Sequence, residues 1–289
     1  LVSDYSSLFT MQGENSSESI FELQISQSAS NSQMGRNYTP NNYKDGQSFG
    51  WLTVNADMYD DHANTYPGDL RIEGDFLENQ VCGGNAPPKQ GATFISYYWN
   101  NNTNSNGYAP NGIRPSNGTC ANWGVRVYPK RTRTRYANAH PYFFKYATKD
   151  VTSSNQYDDK NIIIYRYADL LLMLAEISNE LQNGQQLGYV TEVLDRSGLN
   201  SLAYSGLSQS DFTDKIMKEY RYELLGEGED AHNNRRRGFD YFLNNVIMVH
   251  NSNTSLNFSS MDLTLSEDPA QVMFLPIPVR EINTNELID

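Results

Sequence analysis

Few residues in this chain have both the type and the spacing that chemistry needs. The histidines are His62, His140, His232 and His250. No two of them form the H-E-x-x-H pair that would hold zinc on one helix face. There is no G-x-S-x-G elbow, no Walker loop and no G-x-G-x-x-G after a strand. Gly226-Glu227-Gly228 lacks the third glycine and the preceding strand, so it reads as a helix end. Carboxylates are plentiful, with 34 Asp and Glu, and glycoside hydrolysis needs only two at the right separation. The clusters Asp57/Asp60/Asp61 and Glu227/Glu229/Asp230 read instead as solvated faces. The first trio offers oxygen ligands for Ca²⁺ without the EF-hand spacing or its glycine, and no cofactor is expected. Arg235-Arg236-Arg237 reads as a solvated run that neutralises the acidic helix end before it.

Cys82 and Cys120 enclose an interval rich in Gly, Pro and Asn that burial alone would hold poorly. A disulfide there would remove about 3–4 kcal/mol of unfolded-state entropy and would imply an oxidising compartment. The other reading is two separate thiols in a reducing one. With no histidine pair nearby, the cysteines make no zinc site.

Tyrosine is over-represented, with 20 against 12 Phe and 3 Trp, in a chain crowded with Asn, Ser and Gly. Flat aromatic faces beside neutral hydrogen-bonding groups suit sugar or peptide binding, and equally an ordinary polar surface. The balance of 22 basic against 34 acidic residues, net −12, argues against a nucleic-acid partner. No apolar run approaches the roughly 18 residues of a membrane-spanning helix.

The elements that would position these groups change in character along the chain. Residues 18–26 alternate Phe21, Leu23 and Ile25 with polar neighbours, which predicts a half-buried strand. From 82 to 141 repeated turn signals predict long loops and short strands. Residues 162–182 carry a wide apolar stripe at helical spacing and predict a buried helix, with Gly184 beyond its end. A second helix over 187–196, closed by Gly198, completes a helical hairpin. Ser208 and Asp211 resemble a capping box before an amphipathic helix that ends near Gly226. A short helix is expected over 239–249, and Phe274-Leu275-Pro276-Ile277-Pro278 is expected to be extended. The class is mostly α, with residues 1–160 a loop-rich region with short strands and 161–289 helical.

Several of these segments, in this order, resemble the SusD/RagB family of outer-membrane nutrient-binding lipoproteins of Bacteroidetes. Glu18-Ser19-Ile20-Phe21-Glu22 looks like the family's entry strand, Asp69-Leu70-Arg71 like its D-x-R turn, and Lys145-Tyr146 like its K-Y. Arg166-Tyr167-Ala168-Asp169, with Leu172-Met173 and Ala175-Glu176, is the strongest match. Arg196-Ser197-Gly198-Leu199, Glu219 to Leu224 with Glu227-Gly228, and Leu275-Pro276-Ile277-Pro278 with Glu281-Ile282 and Asn285 follow in register. The chain departs from the pattern after Gly228, where Glu229 to Asn234 replace the usual Arg, aromatic and Asp, so no role passes to Asp230 or Asn233. The usual tail motif is also missing after Asp289.

The resemblance implies a tetratricopeptide-like helical scaffold carrying a large irregular ligand-binding region, without catalysis. It implies a lipid-anchored protein on the external face of the outer membrane that delivers a glycan to a SusC-type TonB-dependent transporter. An oligopeptide is the alternative ligand, and a glycoside hydrolase or a purely structural lid are lesser ones. Trp51, Tyr97, Tyr98, Trp99, Tyr108 and Trp123 are the expected ligand contacts. Arg166 and Glu176 are expected to be structural, as an internal polar pair or cap. The chain begins at Leu1 without an initiator Met, a signal peptide or a Cys that could carry lipid. It is expected to be the later portion of a longer protein, because the apolar stretch 170–174 calls for helical neighbours upstream.

Overall fold

A computed structural model of the chain describes residues 1–26, 28, 32–38, 52, 54, 56–72, 94–95, 115–116, 119–120, 142–143, 145–146, 159–252 and 264–284. They divide into two units, 1–227 and 228–289.

The first unit opens with two 3₁₀ turns, Tyr5–Phe9 and Met11–Gly13, which tuck Tyr5, Leu8 and Phe9 out of water. Strand β1 (Ser19–Leu23) follows, then α1 (Met34–Tyr38) and α2 (Ala56–Thr65). Four two-residue strands come next: β2 (Phe94–Ile95), β3 (Pro115–Ser116), β4 (Thr119–Cys120) and β5 (Tyr142–Phe143). Strand β6 (Ile162–Arg166) leads into α3 (Tyr167–Glu180), α4 (Gln186–Arg196) and α5 (Gln209–Leu224). The strands pair antiparallel as β1 with β6, β2 with β5 and β3 with β4. The change of sequence character at 160/161 is therefore crossed by a shared sheet, since β1 lies before it and β6 after it.

Two features of the β1–β6 ribbon differ from the sequence expectation. The helix begins at Tyr167 rather than within the isoleucine run, because Ile162-Ile163-Ile164 pairs with β1 and Arg166 is fully extended (φ −140°, ψ 163°). A short apolar run fits either period, and the β-branched residues take the strand. The burial of β1 also differs, with Ile20 exposed. Phe21 and Leu23 are about half exposed, whereas Glu18 and Glu22 are buried. The carboxylates point inward because cations and amides wait for them: Glu18 meets Arg166 and Arg196, and Glu22 accepts from Asn15 and Asn161.

Helix α3 packs against α4 and α5. Its apolar girdle splits into two faces. Ala168, Leu171, Leu172 and Ala175 are sealed within the chain. Leu170, Met173, Ile177 and Leu181, which helical spacing places on one face, are exposed, Leu181 by 69%. Leu172 thus finds its neighbours within the chain. Helix α5 starts as expected: Ser208 Oγ accepts from the Asp211 amide at 3.1 Å and donates to its carboxylate at 2.7 Å. Asn179 donates to the Gln209 carbonyl and to Thr213, pinning the end of α3 to the start of α5.

The second unit holds α6 (Asp230–Arg236), α7 (Phe239–Phe242), a wider π-helical turn over Leu243–Ile247, α8 (Met248–Ser252), α9 (Pro269–Val272) and α10 (Val279–Thr284). The arginine run is used within it. Arg235 lies over the Phe242 ring at 4.6 Å and donates to the Val272 carbonyl, and Arg236 donates to Asn233. Residues 275–278 carry no regular structure, as their prolines require. Phe274, Leu275 and Val279 are exposed.

Candidate functional site

The residues that carried the family resemblance converge on one place in the first unit. Glu223, on the last turn of α5, is completely buried and gathers three guanidiniums. Arg166 Nη1 reaches its Oε1 at 2.7 Å, Arg71 Nη1 reaches its Oε2 at 3.0 Å, and Arg196 Nη2 donates to Oε1. The same guanidiniums then bind the next acids outward. Arg71 forks onto Asp69 and reaches Glu219 at 2.7 Å. Arg166 takes Glu227 at 2.7 Å and Glu18 at 3.0 Å, and Arg196 also holds Glu18. Lys145 closes the set, with Glu227 at 2.6 Å and the carbonyls of Glu223 and Leu225 at 3.0 and 3.1 Å. Tyr5 covers one side. Its hydroxyl donates to the Glu223 carbonyl, and Arg196, Arg166 and Lys145 all lie within 5.6 Å of its ring centre.

The backbone explains why these side chains meet. Glu219, Glu223 and Glu227 recur every four residues, so the first two share a face of α5 and the third continues it past the helix end. That end is forced at Gly226, whose φ of +85° suits glycine. The Asp69-Leu70-Arg71 turn is closed by Ile72 N–H to the Asp69 carbonyl and tied to the end of α4 by Leu70 N–H to the Ser197 carbonyl. The extended backbone at the β6–α3 junction places Arg166 between β1 and α5.

Five carboxylates, Glu18, Asp69, Glu219, Glu223 and Glu227, here face four cations, Arg71, Lys145, Arg166 and Arg196. Burial alone would raise Glu223, but Arg196, Arg166 and Arg71 outweigh it and hold the carboxyl far below the usual range. Burial would likewise raise Glu227, and Arg166 and Lys145 outweigh it. Asp69 is driven to about 2, because Arg71 and the His62 hydrogen bond overcome its burial. Glu219 goes the other way, with burial raising it against the pull of Arg71.

His62 on α2 extends the network. Its Nε2 donates to Asp69 at 2.8 Å, and its ring stacks on Tyr222 at 4.0 Å and 9°. Burial, with Arg71 nearby, lowers its pKa to about 4 against the support of Asp69, so it is neutral at pH 7.

Every one of these carboxylates is committed to a guanidinium or an ammonium. Such a cluster specifies how elements meet. Arg166 is structural, as the sequence suggested, but its acid partners are Glu18, Glu223 and Glu227 in place of Glu176. Glu227, read from sequence as part of a solvated face, belongs to the cluster and is buried there. Asp61 of the other acidic trio binds Lys218 and the Tyr222 hydroxyl. Among the described residues, no three His, Cys, Asp or Glu side chains are grouped to hold a metal ion.

The expected ligand contacts Trp51, Tyr97, Tyr98, Trp99, Tyr108 and Trp123 lie outside the described residues, as does Cys82 of the Cys82–Cys120 pair. Sequence reasoning missed Tyr5 and His62 and assigned no role to Glu219 and Glu223. The available signal was the spacing of Glu219 and Glu223, three residues after Ile216 and Tyr220 and so beside the apolar stripe of α5.

A model of the SusD family matches residues 17–289, and the chain belongs to that family. SusD-like protein P25 of Formosa agariphila is 28% identical over 152 residues, 51% of this chain and 27% of that protein. SusD-like protein P38 of the same organism is 37% identical over 87 residues, 27% of this chain and 17% of that protein. In these matches the chain therefore covers about a quarter or less of the relatives' own length. Among solved structures, a SusD homologue from Bacteroides thetaiotaomicron is similar with a TM-score of 0.61 at 17% identity, covering 98% of this chain and 54% of that one. Surface glycan-binding protein A from Bacteroides uniformis is similar with a TM-score of 0.51 at 21% identity, covering 81% of this chain and 40% of that one. The fold is that of the SusD superfamily, a helical tetratricopeptide-like scaffold.

Proposed function

We propose that this chain belongs to a non-catalytic, cell-surface glycan-binding protein that hands oligosaccharide to a SusC-type TonB-dependent transporter. The observation that carries the reading is the family match over residues 17–289. The name of the Bacteroides uniformis structure, a surface glycan-binding protein, supports a glycan over other nutrients. A lipid anchor on the external face of the outer membrane fits the same family, and among the described residues no helix is long and apolar enough to cross a membrane. Ligand would rest on Trp51, Tyr97, Tyr98, Trp99, Tyr108 and Trp123, whose flat faces match the apolar faces of sugar rings, with Asn side chains meeting hydroxyls.

Calorimetry with oligosaccharide pools and with short mixed peptides tests the reading. Heat with oligosaccharides is expected. Heat with peptides alone would favour an oligopeptide-binding, RagB-like protein. Release of reducing ends from a polysaccharide would point to a glycoside hydrolase. Transporter binding with no ligand heat would leave a structural lid.

A further inference from the structure

The turn between α3 and α4 holds the one Asn-Gly pair within the described residues, Asn183-Gly184. Both residues are exposed. The Asn183 N–H donates to the Ser178 carbonyl at 3.2 Å, and Gln182, at φ +50°, turns the chain out of α3. Gly184 follows at φ +81°, a conformation that suits glycine, and a Cβ placed there would meet nothing within 4 Å. The Asn183 side chain is held in this turn. Its Oδ1 accepts from the Gln185 N–H at 3.0 Å. Such an Asx turn folds the side-chain carbonyl back along the Gly184 peptide. Among the described residues nothing accepts from the Gly184 N–H.

We propose that Asn183 is a self-modification site: the Gly184 nitrogen closes a succinimide on its side chain, with the Gln185 N–H holding the oxyanion, and the ring opens to aspartate or isoaspartate. Hydroxide takes the Gly184 amide proton, which water can reach and which no acceptor holds. The nitrogen attacks Asn183 Cγ, and the N–Cγ bond forms. Negative charge gathers on Oδ1, where the Gln185 N–H already donates. The Cγ–Nδ2 bond then breaks, and Nδ2 takes a proton from water and leaves as ammonia. Water next adds to one of the two ring carbonyls and breaks its bond to the ring nitrogen. Addition at the side-chain carbonyl returns an aspartate. Addition at the backbone carbonyl gives an isoaspartate, whose chain runs through the side-chain carbon. The balance is one water in and one ammonia out, with no oxidation. The turn gains a negative charge before the first turn of α4, where the helix dipole favours it, so the aspartate product keeps the fold. In a flexible chain the carbonyl must first find the nitrogen, whereas here the turn already holds the two together.

The test compares the intact chain, folded and in guanidinium chloride, during incubation at one mildly alkaline pH. Samples are digested, and the peptide that carries Asn183 is followed by mass spectrometry for the mass gain of amide-to-acid conversion. An isoaspartate-specific methyltransferase counts the rearranged product. Conversion in the folded chain at least as fast as in the unfolded one is expected, with both products present. A folded rate clearly below the unfolded rate, or none, overturns the proposal, because the turn would then protect the amide. Gln185→Pro removes the donor, whose hydrogen-bond partner is Asn183 Oδ1. Gln185 stands at φ −93°, near the range of proline, so the turn can accept it. The variant is expected to slow the folded reaction about tenfold and to leave the unfolded rate unchanged. Equal folded rates in parent and variant would also overturn the proposal. Should Gln185→Pro not fold, the parent's folded and unfolded rates decide alone. The further Asn-Gly pairs at Asn106, Asn111 and Asn117 lie outside the described residues and are scored on their own peptides.

Discussion

Arg166 and Glu223 meet at 2.7 Å with both side chains shut away from water. One ends the strand that pairs with β1, and the other ends the helix that packs on α3. Their contact joins the ribbon to α5. A buried pair of this kind contributes little net stability against a hydrophobic replacement, but losing one partner strands the other.

Glu223→Gln is therefore expected to cost about 3–5 kcal/mol, since Arg166, Arg71 and Arg196 would share a neutral amide in a dry site. Urea unfolding followed by circular dichroism measures this. A loss below about 1 kcal/mol would mean that the guanidiniums are far better hydrated than their burial implies.

Stability should fall as the solution is acidified from neutrality. His62 has a folded pKa of about 4 against an ordinary value of 6.5, so the unfolded chain takes up its proton first. Its contribution is complete above pH 6.5 and is lost as pH falls towards 4, by about 3 kcal/mol in all. Asp69 adds a second loss lower down, between its ordinary 3.8 and about 2. His62→Gln keeps a donor for Asp69 and does not titrate. Its melting temperature should be flatter between pH 6.5 and 4.5 than the parent's, and parallel slopes for the two proteins would refute the assignment.

Ser208→Ala is expected to cost about 1 kcal/mol by uncapping α5, and Ser208→Asp should recover most of it. Chemical denaturation of the three proteins side by side gives the ranking. Equal stability of all three would show that the cap contributes nothing.

The motifs were legible in the sequence, but their meeting place was not. Asp69, Arg71, Lys145, Arg166, Arg196, Glu219, Glu223 and Glu227 were all visible as ordered matches, and the structure brings them into one cluster. Nothing in one dimension says that residues 69, 145, 166 and 223 touch, because their pairing is set by tertiary packing. Helices α4 and α5 were readable because periodicity, Gly198 and the Ser208 cap agree with one another. β1 misled because its apolar residues Ile20, Phe21 and Leu23 all stay exposed, while Glu18 turns inward to Arg166 and Arg196 and Glu22 to Asn15 and Asn161. His62 stayed hidden because a single histidine carries no pattern.

The exposed stripe of α3 gives a further expectation. Ile177→Gln together with Leu181→Gln should change the stability of this chain by no more than about 0.5 kcal/mol and should lower the binding of a hydrophobic dye. A loss above about 2 kcal/mol would mean that something within the chain covers that face in solution.

Titration calorimetry of the intact chain with the mixed oligosaccharide pool, beside its Trp99→Ala variant, bears most directly on the idea of an ion-locked scaffold that presents aromatic platforms to a glycan. Saturable heat in the parent that disappears in the variant is the predicted result. Heat with short peptides alone, or equal heat in both proteins, would contradict it.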